Sequence, residues 1–253
     1  MADIEVRWKM MTPDELDAAI ERMPLAIVPA GSLEWHGPHM ATGSDFIRGD
    51  AICTAIAERL GGGVVLPATW VGAPGFCNWR GTISFTPALV REVALELYRE
   101  LEKCGFEHIL VHLAHAGQMQ VESWQGAATL YADVGSAKIL VRHGLDGPFE
   151  HELGGGHAGP DEAAQLMAAE PDAVHLDRYD PDDSLLPKYE ECDPELYGLG
   201  LSEEAQASVR EFMAREHYSW SPDLAKVVTP EAARAHFDEV CDRLAEEVKE
   251  WMT

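Results

Sequence analysis

Four short apolar stretches, each broken off by small or polar residues, constrain this chain more than any other feature. They are LAIVPAGS at 25–32, VVLPATWV at 64–71, HILVHLAHAGQ at 108–118 and AKILVRHG at 137–144. Helical spacing fills the gaps between them. Ile47, Ala51, Ile52, Ala55, Ile56 and Leu60 share one face before the glycines at 61–63, and Thr86 with Pro87 opens a second helix carrying Val90, Val93, Ala94, Leu97 and Leu101. Val121, Trp124, Ala128 and Tyr131 mark a third. Strands that are apolar throughout are buried on both faces, and parallel strands need helical crossovers. The pattern therefore predicts an α/β fold of three layers, a mostly parallel central sheet with helices on both faces. A last helix is expected from Thr229 and Pro230, with Ala233, Phe237, Val240, Leu244, Val248 and Trp251 on one stripe.

In such sheets ligands collect at the carboxyl ends of the strands. The richest polar loops, 31–45, 113–118 and 143–162, all follow predicted strands. The first reads GSLEWHGPHMATGSD. Glu34 and His36, two apart in an extended segment, point to the same side, and Gly37 with Pro38 turns the chain so that Asp45 can come back toward them. Mixed imidazole and carboxylate donors suit Zn²⁺, Mn²⁺ or Fe²⁺, and one carboxylate reaching two ions can bridge a binuclear centre. A polar surface loop with Asp45 as a helix cap is the alternative. His115 in LAHAGQ and the segment GGGHAGPDE, where Glu162 follows His157 by five residues, tip the balance toward a site, because both also follow strands. The glycines around His157 let the backbone approach a ligand, and a histidine beside a metal centre can shuttle a proton.

Charge and composition exclude other classes. Acids outnumber bases 44 to 19, for a net charge of −25, which is the wrong sign for a phosphate-backbone binder, so no nucleic-acid partner is expected. No apolar run reaches bilayer length and the first residues lack a secretory layout, so the expectation is a cytoplasmic protein without a membrane partner. Five scattered cysteines without a C-x-x-C pair read as reduced structural thiols. The whole of 1–253 is expected to be one domain, with the acidic, Pro- and Tyr-rich stretch around 176–219 as an insertion or lid. No phosphate-cradling glycine motif stands at a strand–helix junction.

GSLEWHGPHMATGSD resembles the signature of the creatininase family of metal-dependent amidohydrolases, G-S-x-E-Q-H-G-P-H-L-P-x-x-T-D, and GHAGPDEA is similar to that family's H-A-G-x-x-E-T-S. GTISF at 81–85 and LAHAGQ extend the likeness. The resemblance implies two divalent metal ions, zinc first with manganese or iron as alternatives, held by Glu34, His36, Asp45 and His115 with Asp45 bridging. Some members add a glutamate two residues after the second-loop histidine; Gly117 stands there, and Glu162 is the candidate replacement, or else a partner orienting His157. His157 takes the family's proton-transfer role, and His39 supports the site without binding metal. Trp35 replaces the usual glutamine, and Trp79, Asn78 and Gln118 are the candidate substrate-binding residues. The expected function is opening of a small cyclic amide by metal-activated water, with hydrolytic C–C cleavage of a cyclic polyol diketone and a non-catalytic binding or assembly role as alternatives. A small polar substrate and a homo-oligomer, a hexamer by family likeness, complete the expectation.

Overall fold

The computed structural model describes residues 4–144, 150–151, 153–180, 194–214, 221 and 223–253. Its centre is a parallel sheet of β1 (Leu25–Ala30), β2 (Val64–Val65), β3 (His108–Leu113) and β4 (Lys138–Arg142), in the order β2-β1-β3-β4. Register runs Ala26 to Val64, Ala30 to Leu113 and His108 to Lys138. The helices are α1 (Pro13–Arg22), α2 (Ser44–Leu60), α3 (Pro87–Lys103), α4 (Gln118–Tyr131), α5 (Pro160–Ala169), α6 (Pro194–Gly198), α7 (Glu203–Ala214), α8 (Leu224–Val227) and α9 (Pro230–Met252).

Strand alternation sorts the core into layers. Ala26, Val28, Ile109 and Val111 pack on α3 and α4 through Val90, Tyr98, Trp124 and Tyr131. Leu25, Ile27 and Leu110 face the other way, onto Ile52 and Ile56 of α2 and Phe237, Val240 and Leu244 of α9. Both faces of β1 and β3 are thus covered, as the unbroken apolar runs predict. A third cluster lies under the loops, where Trp35, Phe76 and Trp79 meet Ala163 and Leu166 of α5.

One predicted strand is shortened. Of residues 64–71 only Val64 and Val65 form β2, with an isolated bridge between Ala30 and Thr69 beyond it. Pro67 has no N–H to give to the ladder, so pairing stops after Leu66 donates to the Ile27 carbonyl (2.9 Å) and resumes where Thr69 donates to that of Pro29 (3.0 Å). The described part of the 176–219 stretch is not detached: Ala205 and Val209 of α7 are buried in the same cluster as α3 and α4. Residues 181–193 and 215–219 of that stretch, and 145–149 and 152 of the third polar loop, lie outside the described residues. Among the described residues no helix is long and apolar enough to cross a membrane.

Candidate metal centre

The loops after β1, β3 and β4 meet at one end of the sheet. β1 runs into an extended segment held from both sides: Glu34 N–H donates to the Thr42 carbonyl (3.0 Å) and Trp35 N–H to Thr82 Oγ1 (2.9 Å). Gly37 turns the chain with φ of 72°, a region that favours glycine. α2 then begins so that Asp45 lies in its first turn. His115 follows β3, and His157 and Glu162 come from the loop before α5 and its first turn.

Glu34, His36, Asp45 and His115 are almost fully buried. Glu34 Oε1 accepts from Phe76 N–H at 2.7 Å, and Oε2 stands 3.2 Å from His115 Nδ1 and 3.6 Å from His157 Nδ1. Gly75 makes this approach possible, since a Cβ there would lie 2.1 Å from Glu34 Oε1. Asp45 reaches both ways: Oδ1 is 3.1 Å from His36 Nε2 and Oδ2 is 3.4 Å from His115 Nδ1. Glu162 Oε2 completes the second side, 3.5 Å from His36 Nε2.

Backbone carbonyls orient the three imidazoles. His36 Nδ1 donates to the Glu34 carbonyl (3.1 Å), His115 Nε2 to that of Ala73 (2.9 Å) and His157 Nε2 to that of Trp35 (2.6 Å). In the neutral tautomers so selected, the remaining nitrogen of each ring turns its lone pair toward the carboxylates. His36 Nε2 and Asp45 Oδ2 are buried with no hydrogen-bond partner among the described residues. A lone pair facing carboxylate oxygen is unfavourable unless a proton or a metal cation lies between, so these donors fit a metal that would take the place of the proton. Two groupings share Asp45, namely Glu34–Asp45–His115 and His36–Asp45–Glu162, and a third is Glu34–His36–His157; in each the donor atoms lie within 4.8 Å of one another.

The field of the site reports the same demand for positive charge. Burial alone would lower the His36 pKa, but Asp45 and Glu162 drive it up to about 9. His115 is likewise raised, by Glu34 and Asp45 against burial. Burial would raise Glu34, yet His115 and His157 hold it down at about 2. His157 behaves differently: burial and then the charge of His36 lower it to about 4, so it is neutral at pH 7.

Arg48 is the residue that sequence reasoning missed. One turn after Asp45 on α2 and buried, its Nη2 donates to Asp45 Oδ1 (2.9 Å), Glu162 Oε1 (2.6 Å) and the Ala114 carbonyl (2.7 Å). It ties together the loops after β3 and β4. The i, i+3 spacing from Asp45 was its only signal in the sequence. His39 touches no grouping; its Nε2 donates to the carbonyl of Ala158 at 3.2 Å, and Ala158 N–H donates to Glu162 Oε2 at 2.6 Å. Ala158 sits at φ of 52°, held in this left-handed conformation between His39 and Glu162.

The cavity above the groupings, about 310 Å³, is lined by Phe76, Gly117, Gly156, His115, His157 and the acids of the groupings. The three residues expected to line it lie elsewhere. Trp79 is fully buried and stacked on Trp35 (4.3 Å, 8°), because the third core cluster needs its area more than the opening does. Asn78 donates to the Met213 carbonyl (3.3 Å), and Gln118, at the start of α4, donates to Glu122 Oε1 (3.0 Å). The aromatic at the cavity is Phe76, stacked on His157 at 4.0 Å and 24°.

A family model described as "Creatininase: Creatinine amidohydrolase" matches residues 9–248. The chain is 28% identical over 164 residues to a mycofactocin precursor peptide peptidase of Mycobacterium ulcerans (strain Agy99), a match that covers 61% of this chain and spans 62% of that protein's length. It is also 28% identical over 197 residues to a creatinine amidohydrolase of Pseudomonas putida, covering 69% of this chain and 74% of that one. Among solved structures, a tryptophan-to-phenylalanine mutant creatininase superposes with a TM-score of 0.71 at 22% identity, over 97% of this chain and 98% of the other. A structure described as "Creatininase Mn" and a glutamate-to-glutamine mutant of "Zn-Zn type" both give 0.69 at 22% identity with the same coverage. At that identity the superpositions speak for the fold.

Proposed function

The chain belongs to the creatininase family, and from that premise we propose that it is a metal-dependent hydrolase acting on a C–N amide bond of a small polar substrate. The observation that carries the reading is the sharing of buried Asp45 between two donor groupings, each completed by one imidazole and one further carboxylate. Divalent cations bound there supply a Lewis acid for a carbonyl and a water acidified toward neutral pH. Glu34, Asp45 and Glu162 provide the negative charge that holds two cations, while His36 and His115 each provide a lone pair on a ring fixed by the backbone. Zinc or manganese suits this mixed set, and solved relatives described as Mn and Zn-Zn forms support that choice.

His157 is the group that moves a proton. Its Nδ1 faces the site, its Nε2–H is anchored on the Trp35 carbonyl, and Phe76 covers its ring face. A ring so held can take a proton from a nucleophilic water and return it to the leaving nitrogen without turning. Among the described residues the cavity wall carries no Lys or Arg, so it favours a neutral or cationic substrate over an anionic one. Relatives named as an amidohydrolase and as a precursor peptide peptidase support the C–N reading, the second extending it to peptide-sized amides.

Metal analysis joined to a substrate panel tests this reading. About two divalent ions per chain are expected, lost together with turnover in Asp45→Asn. The panel holds cyclic amides, formamides, dipeptide amides and cyclic diketones, and turnover is expected among the amides alone. Turnover confined to diketones would transfer the reading to C–C cleavage. A protein that holds no stoichiometric transition metal and is unchanged by Glu34→Ala is a binding or assembly protein, and the hydrolase reading falls.

A further inference from the structure

Behind the centre lies a second cavity of about 240 Å³ that the reaction described so far does not use. It adjoins the first along Ala116, Asp161 and Glu162, which line both. Three of the residues that line it carry buried side-chain atoms that no partner among the described residues satisfies: His112 with both ring nitrogens, Asp161 with Oδ1 and Arg48 with Nε. His112 is only 5% exposed. It comes from β3, where an apolar side chain would have met the pattern of its neighbours. Ile52, Val240 and Leu244 form the opposite, apolar wall. Gln165 and His236 also border the space, but their side chains are engaged with each other at 3.3 Å.

Buried polar groups without partners cost stability, so a cluster of them around a cavity calls for an occupant that completes their hydrogen bonds. The chemistry of that occupant follows from the wall. Arg48 has its charge met by Asp45 and Glu162, so it does not recruit an anion. His112 is kept neutral by burial, with one N–H and one lone pair to offer. A planar amide, with an N–H for Asp161, a carbonyl for His112 or Arg48 and an apolar flank for Ile52 and Val240, satisfies all of them.

We propose that this cavity is a subsite for a second amide group of the substrate, so that the chain acts on a diamide or peptide-like amide held on both sides of Asp161 and Glu162. The proposal rests on the hydrolase reading and narrows its substrate class. The scissile amide occupies the first cavity beside His157, and the second amide fixes its register by hydrogen bonds to His112 and Asp161. No covalent step occurs in the subsite.

The test reads occupancy and not turnover. The imidazole nitrogens of His112 are observed in ¹⁵N-labelled protein, assigned with His112→Gln, while N-acetylglycinamide, a diamide, or acetamide is added. The diamide is expected to shift the His112 signals saturably, and acetamide to need at least about tenfold more for the same shift, the loss of one anchoring amide. Val240→Trp, which fills the apolar side, abolishes the shift; Ile52→Phe replaces it if that variant melts at low temperature. Absence of a saturable shift with the diamide, or an equal shift in the filled variant, overturns the proposal. Metal content separates the two readings: a protein that binds metal but leaves His112 unmoved loses only the subsite, and one that binds no metal but shifts His112 loses the hydrolase and with it the substrate role of the cavity, which is then an amide-binding site alone.

Discussion

Arg48 shows how a single buried cation can hold three segments in register, two through carboxylates and one through a backbone carbonyl. Together with Ala114 it joins α2, the loop after β3 and the first turn of α5, and it neutralises charge that a metal must otherwise neutralise. Arg48→Met leaves Asp45 and Glu162 buried without it, and is expected to cost about 3–5 kcal/mol in chelator. Denaturant unfolding with zinc or manganese present should recover much of that loss, since a bound cation stabilises the folded state by mass action; equal losses with and without metal would show that Arg48 acts independently of the centre. His157→Ala tests the other role. It should lower kcat by about 10²–10⁴-fold while the metal content stays as in the parent, because both groupings that share Asp45 lack it. The convergence of Glu34, His36, Asp45, His115, His157 and Glu162 was legible because each stands in a polar stretch between an apolar strand and the next helix. Arg48, His112 and the burial of Trp79 were not, since one follows from a helix face meeting two distant loops and the others from core packing that no local pattern encodes.

At the scale of elements, the strands and long helices are readable from apolar runs, Thr-Pro starts and glycine stops, and the structure keeps all of the long helices. α9 begins at the expected Thr229, whose Oγ1 accepts from Ala232 N–H at 3.2 Å. Thr229→Ala should destabilise the protein by about 1 kcal/mol, with Thr229→Ser close to the parent, in a thermal or denaturant unfolding comparison; a loss in Thr229→Ser equal to that in Thr229→Ala would point to the methyl group and not the cap. β2 departs from expectation for a reason present in the sequence, since Pro67 interrupts the ladder that Val64 and Val65 begin. The docking of α7 had no such signal: Ala205 and Val209 are small apolar residues on a helix that opens with Glu203 and Glu204, and their burial depends on the surface that α3 and α4 offer them.

For the molecule as a whole, His112 couples stability to pH. Burial, and then the positive charge of Arg48, lower its pKa from 6.5 to about 4. Between those values the unfolded chain binds a proton that the folded chain refuses, so this group destabilises the fold as pH falls from 6.5 to 4, and its full contribution is present above 6.5. The deficit at the acid end is about 3 kcal/mol, and His112→Gln should flatten the pH dependence of unfolding by that amount over the same window; parallel curves for the two proteins would refute the assignment. The three-layer architecture was legible because both faces of the central strands are apolar, whereas the second cavity arises only when α2, α5 and α9 close over the end of β3. The sharing of Asp45 has a further consequence in time. Its two groupings draw on residues from Glu34 to Glu162: the first is incomplete until β3, which leads into His115, has joined β1, and the second waits for α5. A ribosome that has released only the first hundred or so residues has made a chain with Glu34, His36 and Asp45 but no pocket to close around an ion. On the proposed reading, metal capture is a late event of folding, and the grouping that contains Glu162 opens when α5 lifts away, which makes the rate of metal loss from that grouping a clock for local opening at that end of the sheet.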